Sequence, residues 1–426
     1  MAVAQQRLEW EEAVTEADAV AQPPVAYIMS RFPKLTETFI LYEILAVERA
    51  GTPVEIYPLM RERTTVMHPE AVALVERAHF QPFISWPILK SQFYYLTRRP
   101  GAYFKALFDL LRGTFGSLRY FIGALSFFPK SVHFARLMEA SGIRHVHAHF
   151  ASHPAAAAFV IHRLTGIPYS FTGHGSDLHR DRHMLKEKVA EAAFVVAISN
   201  FNRDLILSEA GEQYAGKVKV VHCGVDTHIF QPHRLERSAD EAFKILCIGT
   251  LHEVKGQTFL IEACRRLAER GIRFSCHFIG DGPDQEALQA QVSAAGLEEC
   301  VHFEGRRKRE EVISWLQHAD VLVAPSVPSR DGRREGLPVV LIEALGSGVP
   351  AIASRLSGIP ELIEDGVTGY LIEPGNVDQL VDALERLVRD PELRRRLGRN
   401  GREKVVREFD LDQNAKTLIR YFQGAF

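Results

Sequence analysis

Three things are scarce in this 426-residue sequence: paired cysteines, long apolar runs and an excess of either charge. The five cysteines (Cys223, Cys247, Cys264, Cys276 and Cys300) include no C-x-x-C pair and no metal-ligand spacing. That excludes a disulfide scaffold or a zinc cluster, and reads as buried thiols in a reducing compartment. No window holds 18 apolar residues in a row, so no membrane-spanning helix is expected. With 51 Lys and Arg against 53 Asp and Glu the formal charge is −2, and no overall positive field exists to gather nucleic acid. No G-x-G-x-x-G follows the first strand of either half, which argues against a dehydrogenase. Residues 1–23 carry five acids, one arginine and no apolar core. They read as a mobile acidic extension, neither a signal nor a transit peptide, and the expected location is cytoplasmic.

What is present is length and alternation. At 46% hydrophobic content, 426 residues suggest two domains. From Pro24 onward, short β-branched or apolar runs alternate with longer helical stretches: strands over 25–30, 53–59, 145–150, 168–173, 194–199 and 218–223, with a helix over 36–50. Residues 230–242 lose this periodicity and read as a linker. A second series follows, with strands over 243–249, 273–280, 300–305, 320–326, 349–354 and 369–374, then helices over 377–388 and 391–408. This pattern predicts α/β architecture: a Rossmann-like, doubly wound domain over 24–229, a second over 243–408, and a cleft between them beyond the carboxyl ends of the strands. A last amphipathic helix, within 409–426, is expected to pack back on the first domain.

The segment "REGLPVVLIEALGSGVP" (334–350) places two acids, Glu335 and Glu343, around an apolar run. Pro338 suits a first helical turn. Glu335 then hangs at the helix mouth, and Glu343 lies one and a half turns inside. Free N–H groups of Leu337, Val339 and Val340 at such a mouth suit an anion such as a diphosphate. Carboxylates suit the hydroxyls of a sugar and a ribose. A nucleotide sugar combines all three groups. The plainer alternative is one helix-terminus acid and one solvated acid.

The surroundings favour the first reading. "GTLHEVKG" (249–256) follows a strand and places Lys255 where a helix begins, while "FIGDGP" (278–283) and "SGIPELIEDGVTGYLIEPGN" (357–376) put glycines at strand ends. With "HVHAHFASHPA" (145–155), "YSFTGHGSDL" (169–178) and "VHCGVDTHIFQP" (221–232), the assembly resembles the retaining glycosyltransferases of family 4, which have the GT-B fold. The resemblance runs from about Tyr27 to Asp390. "SRFPKLTETFI" (30–40) is similar to the branch that builds bacterial exopolysaccharides, colanic-acid-type enzymes included.

The resemblance implies transfer of a sugar from a nucleotide-diphosphate sugar, as co-substrate, to a glycan or lipid-linked acceptor in surface polysaccharide assembly. No metal or other cofactor is expected. It implies catalytic roles for Glu335, His174 and Lys255: Glu335 holds donor-sugar hydroxyls, Lys255 neutralises the diphosphate, and His174 reaches the sugar from the first domain. Glu343 would grip the ribose, with Gly249, Thr250, Gly336, Leu337, Pro338, Val339 and Gly280 lining the donor site. One departure stands out: the family usually has Gly-Arg-Leu where this chain has Gly249-Thr250-Leu251. Arg306, Arg307, Arg330, Arg333 and Arg334 are the candidate replacements, the alternative being solvated surface. Nucleotide-sugar 2-epimerases share the fold but lack this E-x₇-E context, and product analysis without acceptor separates the two. A non-catalytic nucleotide-sugar-binding subunit of an assembly complex is the remaining alternative.

Other residues stay open at this level. His174, between Gly173 and Gly175, is either a site residue or a structural histidine. Asp177 caps a helix, orients His174 or meets the acceptor. Glu37 and Thr38 either cap a helix or form the acceptor side. His147, His149 and His153 suggest a metal, but the sequence shows no acid or cysteine to complete the set, and none is expected. Residues 80–130 hold 14 aromatics, seven basic residues and one acid, Asp109. Either these rings pack the core or the helices meet an anionic membrane surface, in which case the protein sits on the inner face of the plasma membrane.

Overall fold

The computed structural model of the protein describes residues 22–34, 37–63, 67–179, 182–232, 241–330 and 332–425. All but two residues of the acidic extension, and most of the linker, lie outside that set. Two six-stranded sheets organise the rest. The first contains β1 (Val25–Phe32), β2 (Val54–Arg61), β3 (His145–His149), β4 (Tyr169–Gly173), β5 (Phe194–Ala197) and β6 (Val218–Val220), in the order β2-β1-β3-β4-β5-β6. The second contains β7 (Phe243–Ile248), β8 (Phe274–Ile279), β9 (Val301–Gly305), β10 (Val321–Ala324), β11 (Ala351–Ser354) and β12 (Gly369–Ile372), in the order β12-β11-β10-β7-β8-β9. Every ladder is parallel. Helices cover the faces, so central strands such as β3 and β4 are buried at every position.

All twelve strands fall on the runs expected from the sequence. Each sheet reverses its winding once, between β1 and β3 in the first and between β7 and β10 in the second. Chain segments leaving two such neighbours diverge to opposite faces and open a crevice at the carboxyl ends. That geometry decides which loops can form a site.

Two helix starts differ from expectation. The helix carrying Glu343 is Val339–Gly346, and Pro338 precedes it as an extended cap with φ −62° and ψ 121°. Proline's fixed φ and missing N–H serve there as well as in a first turn, and its carbonyl accepts from Leu341 N–H at 3.0 Å. The free mouth amides are therefore those of Val339 and Val340. Lys255 ends a 3₁₀ turn (Glu253–Lys255), and the following helix starts at Gln257. Between them Gly256 has φ +67°, and a Cβ there would lie 2.0 Å from the Pro325 carbonyl oxygen. No side chain fits that crossing.

The chain leaves the second sheet through helix Pro391–Glu408, which packs on Val339–Gly346, and returns to the first sheet as helix Leu411–Phe422. Leu411, Ala415, Leu418 and Ile419 are buried in the cluster that contains Val25, Tyr27, Ile40 and Ile44. Arg49 pairs with Asp412 at 2.7 Å along its edge. Leu418→Ala should therefore destabilise the first domain by about 2–5 kcal/mol, the usual cost of a buried leucine truncation. Denaturant unfolding checks this, with β1-side amide exchange accelerated in the variant.

Candidate functional site

The two residues flanking the winding reversal of the second sheet meet. Lys255 leaves β7 and Glu335 leaves β10, and Lys255 Nζ lies 3.0 Å from Glu335 Oε2, each side chain about one-fifth exposed. Lys255 runs alongside Gly249. Gly280, at the end of β8, comes so close that a Cβ would sit 2.1 Å from the Gly249 carbonyl oxygen. Thr250 is exposed, and its carbonyl accepts from Gln257 Nε2 at 3.0 Å. The glycine strand ends thus meet the Lys255–Glu335 pair in one corner.

Glu343 lies deeper. Burial raises its carboxyl to about 7, and the only opposing influence is the Arg309 guanidinium. Arg309 itself lies over the Tyr42 ring of the first domain, 3.9 Å from its centroid. Nothing in the sequence marked Arg309, because only the fold brings the start of helix Arg309–Gln317 toward the helix carrying Tyr42.

The other wall comes from the first sheet. His174 follows β4 and is buried, with the Phe39 and Phe150 rings each 4.7 Å from its own. Its Nε2 lies 3.2 Å from His149 Nδ1; His149 Nε2 lies 3.1 Å from Glu43 Oε1; and that oxygen accepts from the Tyr27 hydroxyl at 3.0 Å. An ionised carboxylate only accepts, so His149 carries its proton on Nε2 and presents the Nδ1 lone pair to His174 Nε2–H. Burial, with His149 second, holds His174 well below the ordinary histidine range and keeps it neutral. The Tyr27–Glu43–His149–His174 chain thus fixes one tautomer of His174.

The acid that sequence inspection did not find beside the histidines is therefore Glu43. Glu43, His147 and His149 place their ligand atoms within 4.8 Å of one another. His147 Nδ1 and Nε2 face the hydroxyls of Ser170 (2.8 Å) and Thr172 (3.0 Å), while His149 and Glu43 share the hydrogen bond given above. His153 stands apart, stacked on Tyr120 at 4.8 Å.

Asp177 does not reach outward. One carboxylate oxygen accepts from Ala151 N–H at 2.5 Å, and burial lifts the group to about 7. Lys188, buried and pushed down to about 7, donates to the Ala151 and His183 carbonyls. Together they clamp the loop after β3. Glu37 precedes helix Thr38–Arg49 without capping it and pairs with Lys34 at 2.5 Å, while Thr38 opens the helix. Of the arginines considered in place of the missing one, Arg307 pairs with Glu304 and Glu311, and Arg330 contacts Glu253. Arg306 is two-thirds exposed beside Asp281, next to the bridge that joins Gly280 to Gly305.

The two walls touch through glycine. A Cβ on Gly175 would lie 2.9 Å from Gly336 N, and one on Gly336 would lie 3.2 Å from Gly175 Cα. Glu361 of the second domain accepts from the N–H groups of Asn200 (2.8 Å) and Phe201 (2.9 Å), at the start of helix Asn200–Ala210. This satisfies free helix donors and complements the dipole.

Glu43→Leu should strand the buried His149 N–H and cost about 1–3 kcal/mol of stability, whereas Glu43→Gln, which keeps an acceptor oxygen, should cost less than half of that. Denaturant titration of both variants decides it, and equal losses would remove the proton-fixing role of Glu43.

Comparison with known proteins accords with this geometry. Residues 76–229 match the Glycosyltransferase Family 4 model, and residues 232–404 match Glycosyl transferases group 1. A Salmonella typhimurium protein named as a colanic acid biosynthesis glycosyltransferase, WcaL, is 27% identical over 416 residues, 94% of this chain and 99% of its own. The amylovoran biosynthesis glycosyltransferase AmsK of Erwinia amylovora is 34% identical over 221 residues, 50% of this chain and 53% of AmsK. Among solved structures, a Rickettsia africae glycosyltransferase superposes with TM-score 0.69 at 16% identity, covering 95% of this chain and 98% of that one. HepE of Anabaena, crystallised with UDP, does so with TM-score 0.68 at 17% identity, covering 95% and 100%. With two facing Rossmann-like sheets and both family models matched in sequence order, the chain belongs to the family 4 glycosyltransferases and has the GT-B fold.

Proposed function

We propose that this glycosyltransferase is retaining and metal-independent, and that it moves a sugar from a nucleotide-diphosphate donor to a glycan or lipid-linked acceptor in exopolysaccharide assembly. The observation that carries the reading is the Lys255–Glu335 pair, set where the second sheet reverses and opposite buried His174. Two supports come from relatives: WcaL and AmsK carry names from colanic acid and amylovoran biosynthesis, and HepE was crystallised with UDP.

In this reading the diphosphate takes the place of Glu335 on Lys255 and accepts from the Val339 and Val340 amides, which supply the positive charge at the leaving group. Glu335, released from Lys255, accepts from donor-sugar hydroxyls, and Glu343 accepts from the ribose. The bond from the anomeric carbon to the diphosphate oxygen breaks on the same face that the acceptor hydroxyl approaches. The departing oxygen takes the acceptor's proton as the new glycosidic bond forms. Catalysis is positional and electrostatic, with no protein nucleophile. Arg306 supplies the second cation in place of an arginine at position 250.

A thermal-shift panel of nucleotide sugars identifies the donor, because a ligand of the native state raises the melting temperature. Against that donor's nucleoside diphosphate, Lys255→Met should weaken binding by about 1.5–3 kcal/mol, the worth of a charge-assisted hydrogen bond. Unchanged calorimetric affinity would remove Lys255 from the site. Glu335→Gln should mainly lower kcat, by ~10²-fold or more, because its charge acts as positive charge develops on the sugar. A wild-type kcat would make Glu335 a mere helix-terminus acid.

The raised carboxyl of Glu343 gives a pH test. Hydroxyl donors favour the charged form, so nucleotide binding should lower its pKa and release a proton near pH 7, and affinity should rise as pH climbs through about 7. In the free protein the sign is opposite. There the neutral form is favoured, and its stabilisation, complete at acid pH, is lost as pH rises through about 7. Calorimetry in buffers of different ionisation enthalpy measures the released proton, and Glu343→Gln should abolish it.

A further inference from the structure

Of the 17 large hydrophobic residues exposed among the described residues, 11 lie between Phe83 and Leu125. They belong to three consecutive helices, Trp86–Arg98, Pro100–Thr114 and Leu118–Ala140, and to the turns beside them. Each helix buries one stripe: Ile88, Ser91 and Tyr95 on the first; Tyr103, Ala106 and Leu110 on the second; Tyr120, Ala124 and Phe128 on the third. Each also carries a second apolar stripe at helical spacing that is left exposed. Trp86, Leu89 and Phe93 form it on the first, Phe104 and Phe108 on the second, and Leu118, Ile122 and Leu125 on the third. Phe115, in the turn between the last two helices, is 81% exposed. An ordinary surface helix is polar on its outer side, and a patch of this extent marks an interaction surface.

The charges around it have one sign. Lys90, Arg98, Lys105 and Arg112 are exposed on the same helices, with Lys90 over the Trp86 ring and Arg98 over that of Tyr94. The single acid of residues 80–130, Asp109, is paired with Arg163 at 3.2 Å. Arg99 is occupied elsewhere, 3.2 Å from Glu139, and Lys130 is buried on the Leu59 carbonyl. Exposed rings with unopposed cations match a bilayer interface, where rings sit at headgroup depth and cations meet anionic lipid. No helix among the described residues is long and apolar enough to cross the membrane. The contact is thus one that lies on the surface.

From these features we infer that this three-helix face docks the protein on an anionic lipid bilayer. The docked helices back onto the carboxyl end of the first sheet: Tyr120, on the buried side of the third helix, stacks on His153, which opens the helix after β3, and lies 4.6 Å from His183, between β4 and β5. His149 and His174 stand at the ends of β3 and β4. Docking therefore brings the acceptor side of the cleft to the headgroups, where a lipid-linked acceptor lies. This last step rests on the glycosyltransferase reading, whereas the docking does not.

The test is flotation with vesicles of phosphatidylcholine alone or mixed equally with phosphatidylglycerol, at low and high salt. The expected result is flotation with the anionic vesicles only, reversed by salt. A variant with Lys90, Arg98, Lys105 and Arg112 changed to serine should bind a hundredfold or more weakly, since each cation contributes roughly fivefold to partition at a charged surface. The triple variant Phe104→Ser, Phe108→Ser, Phe115→Ser should lose the salt-resistant remainder. Both should bind nucleoside diphosphate like wild type, which shows that they are folded. Wild-type protein that floats with neither vesicle overturns the inference. So does concentration-dependent self-association that the triple serine variant abolishes, because the face is then a contact between two copies. Vesicle binding without any nucleotide affinity would sink the proposed reaction and leave the docking face standing.

Discussion

The two halves of the site are held in register by a contact that has no side chain in it. Gly175, one residue past His174, lies against Gly336, one residue past Glu335, backbone to backbone. A methyl group on Gly175 would press on the Gly336 backbone and one on Gly336 would be tight against Gly175, so the two segments meet at backbone distance. The two side chains named in the chemistry are the immediate neighbours of that contact. Glu361 reinforces it from one side by occupying the free amides of helix Asn200–Ala210.

Behind the contact, both sheets use the same device. The strands beside each winding reversal end in segments that diverge, and the proposed site residues leave on those segments. In the second sheet this pairs a lysine and a glutamate 80 positions apart in sequence. In the first it aligns Tyr27, Glu43, His149 and His174, from β1, its following helix, β3 and β4. The corner of the second sheet is polar, which suits the proposed diphosphate. The histidines of this chain are buried and His174 is held neutral, which suits a wall that holds shape.

The strands were legible because a buried parallel strand is a short apolar run, and twelve such runs alternate with helical segments. That Lys255 and Glu335 would come together was legible through their glycine- and proline-marked surroundings. Glu43 was not, because its partner His149 lies 106 positions away and nothing about an acid inside an amphipathic helix distinguishes it from a solvated one. Arg309 was hidden for the same reason. The rings of residues 80–130 were only half legible. Composition shows their number, but only packing separates Tyr95, Tyr103, Tyr120 and Phe128, which fill the core, from Trp86, Phe93, Phe104 and Phe108, which face outward. Pro338 was placed one position too far into its helix, since a proline suits the cap and the first turn almost equally.

The route of the C-terminus gives the two walls a second connection, away from the cleft mouth. Helix Pro391–Glu408 packs on the helix of Glu343, and Arg402 within it donates to the carbonyls of Thr227 (2.8 Å), Phe230 and Gly346 (2.8 Å). One guanidinium thereby ties the end of the Glu343 helix to the strand of chain that leaves the first domain. Two residues past Glu408, Asp410 accepts from the Thr227 hydroxyl at 2.6 Å, and the final helix then crosses to the first sheet. There Phe422 packs against Tyr27 and His147. Tyr27 is the far end of the hydrogen-bonded chain that holds His174. The helix that carries the proposed ribose ligand and the chain that fixes the opposing histidine are thus joined through packed elements behind the cleft, and Gly175 and Gly336 join them in front. A displacement of one wall must therefore be accommodated at both places.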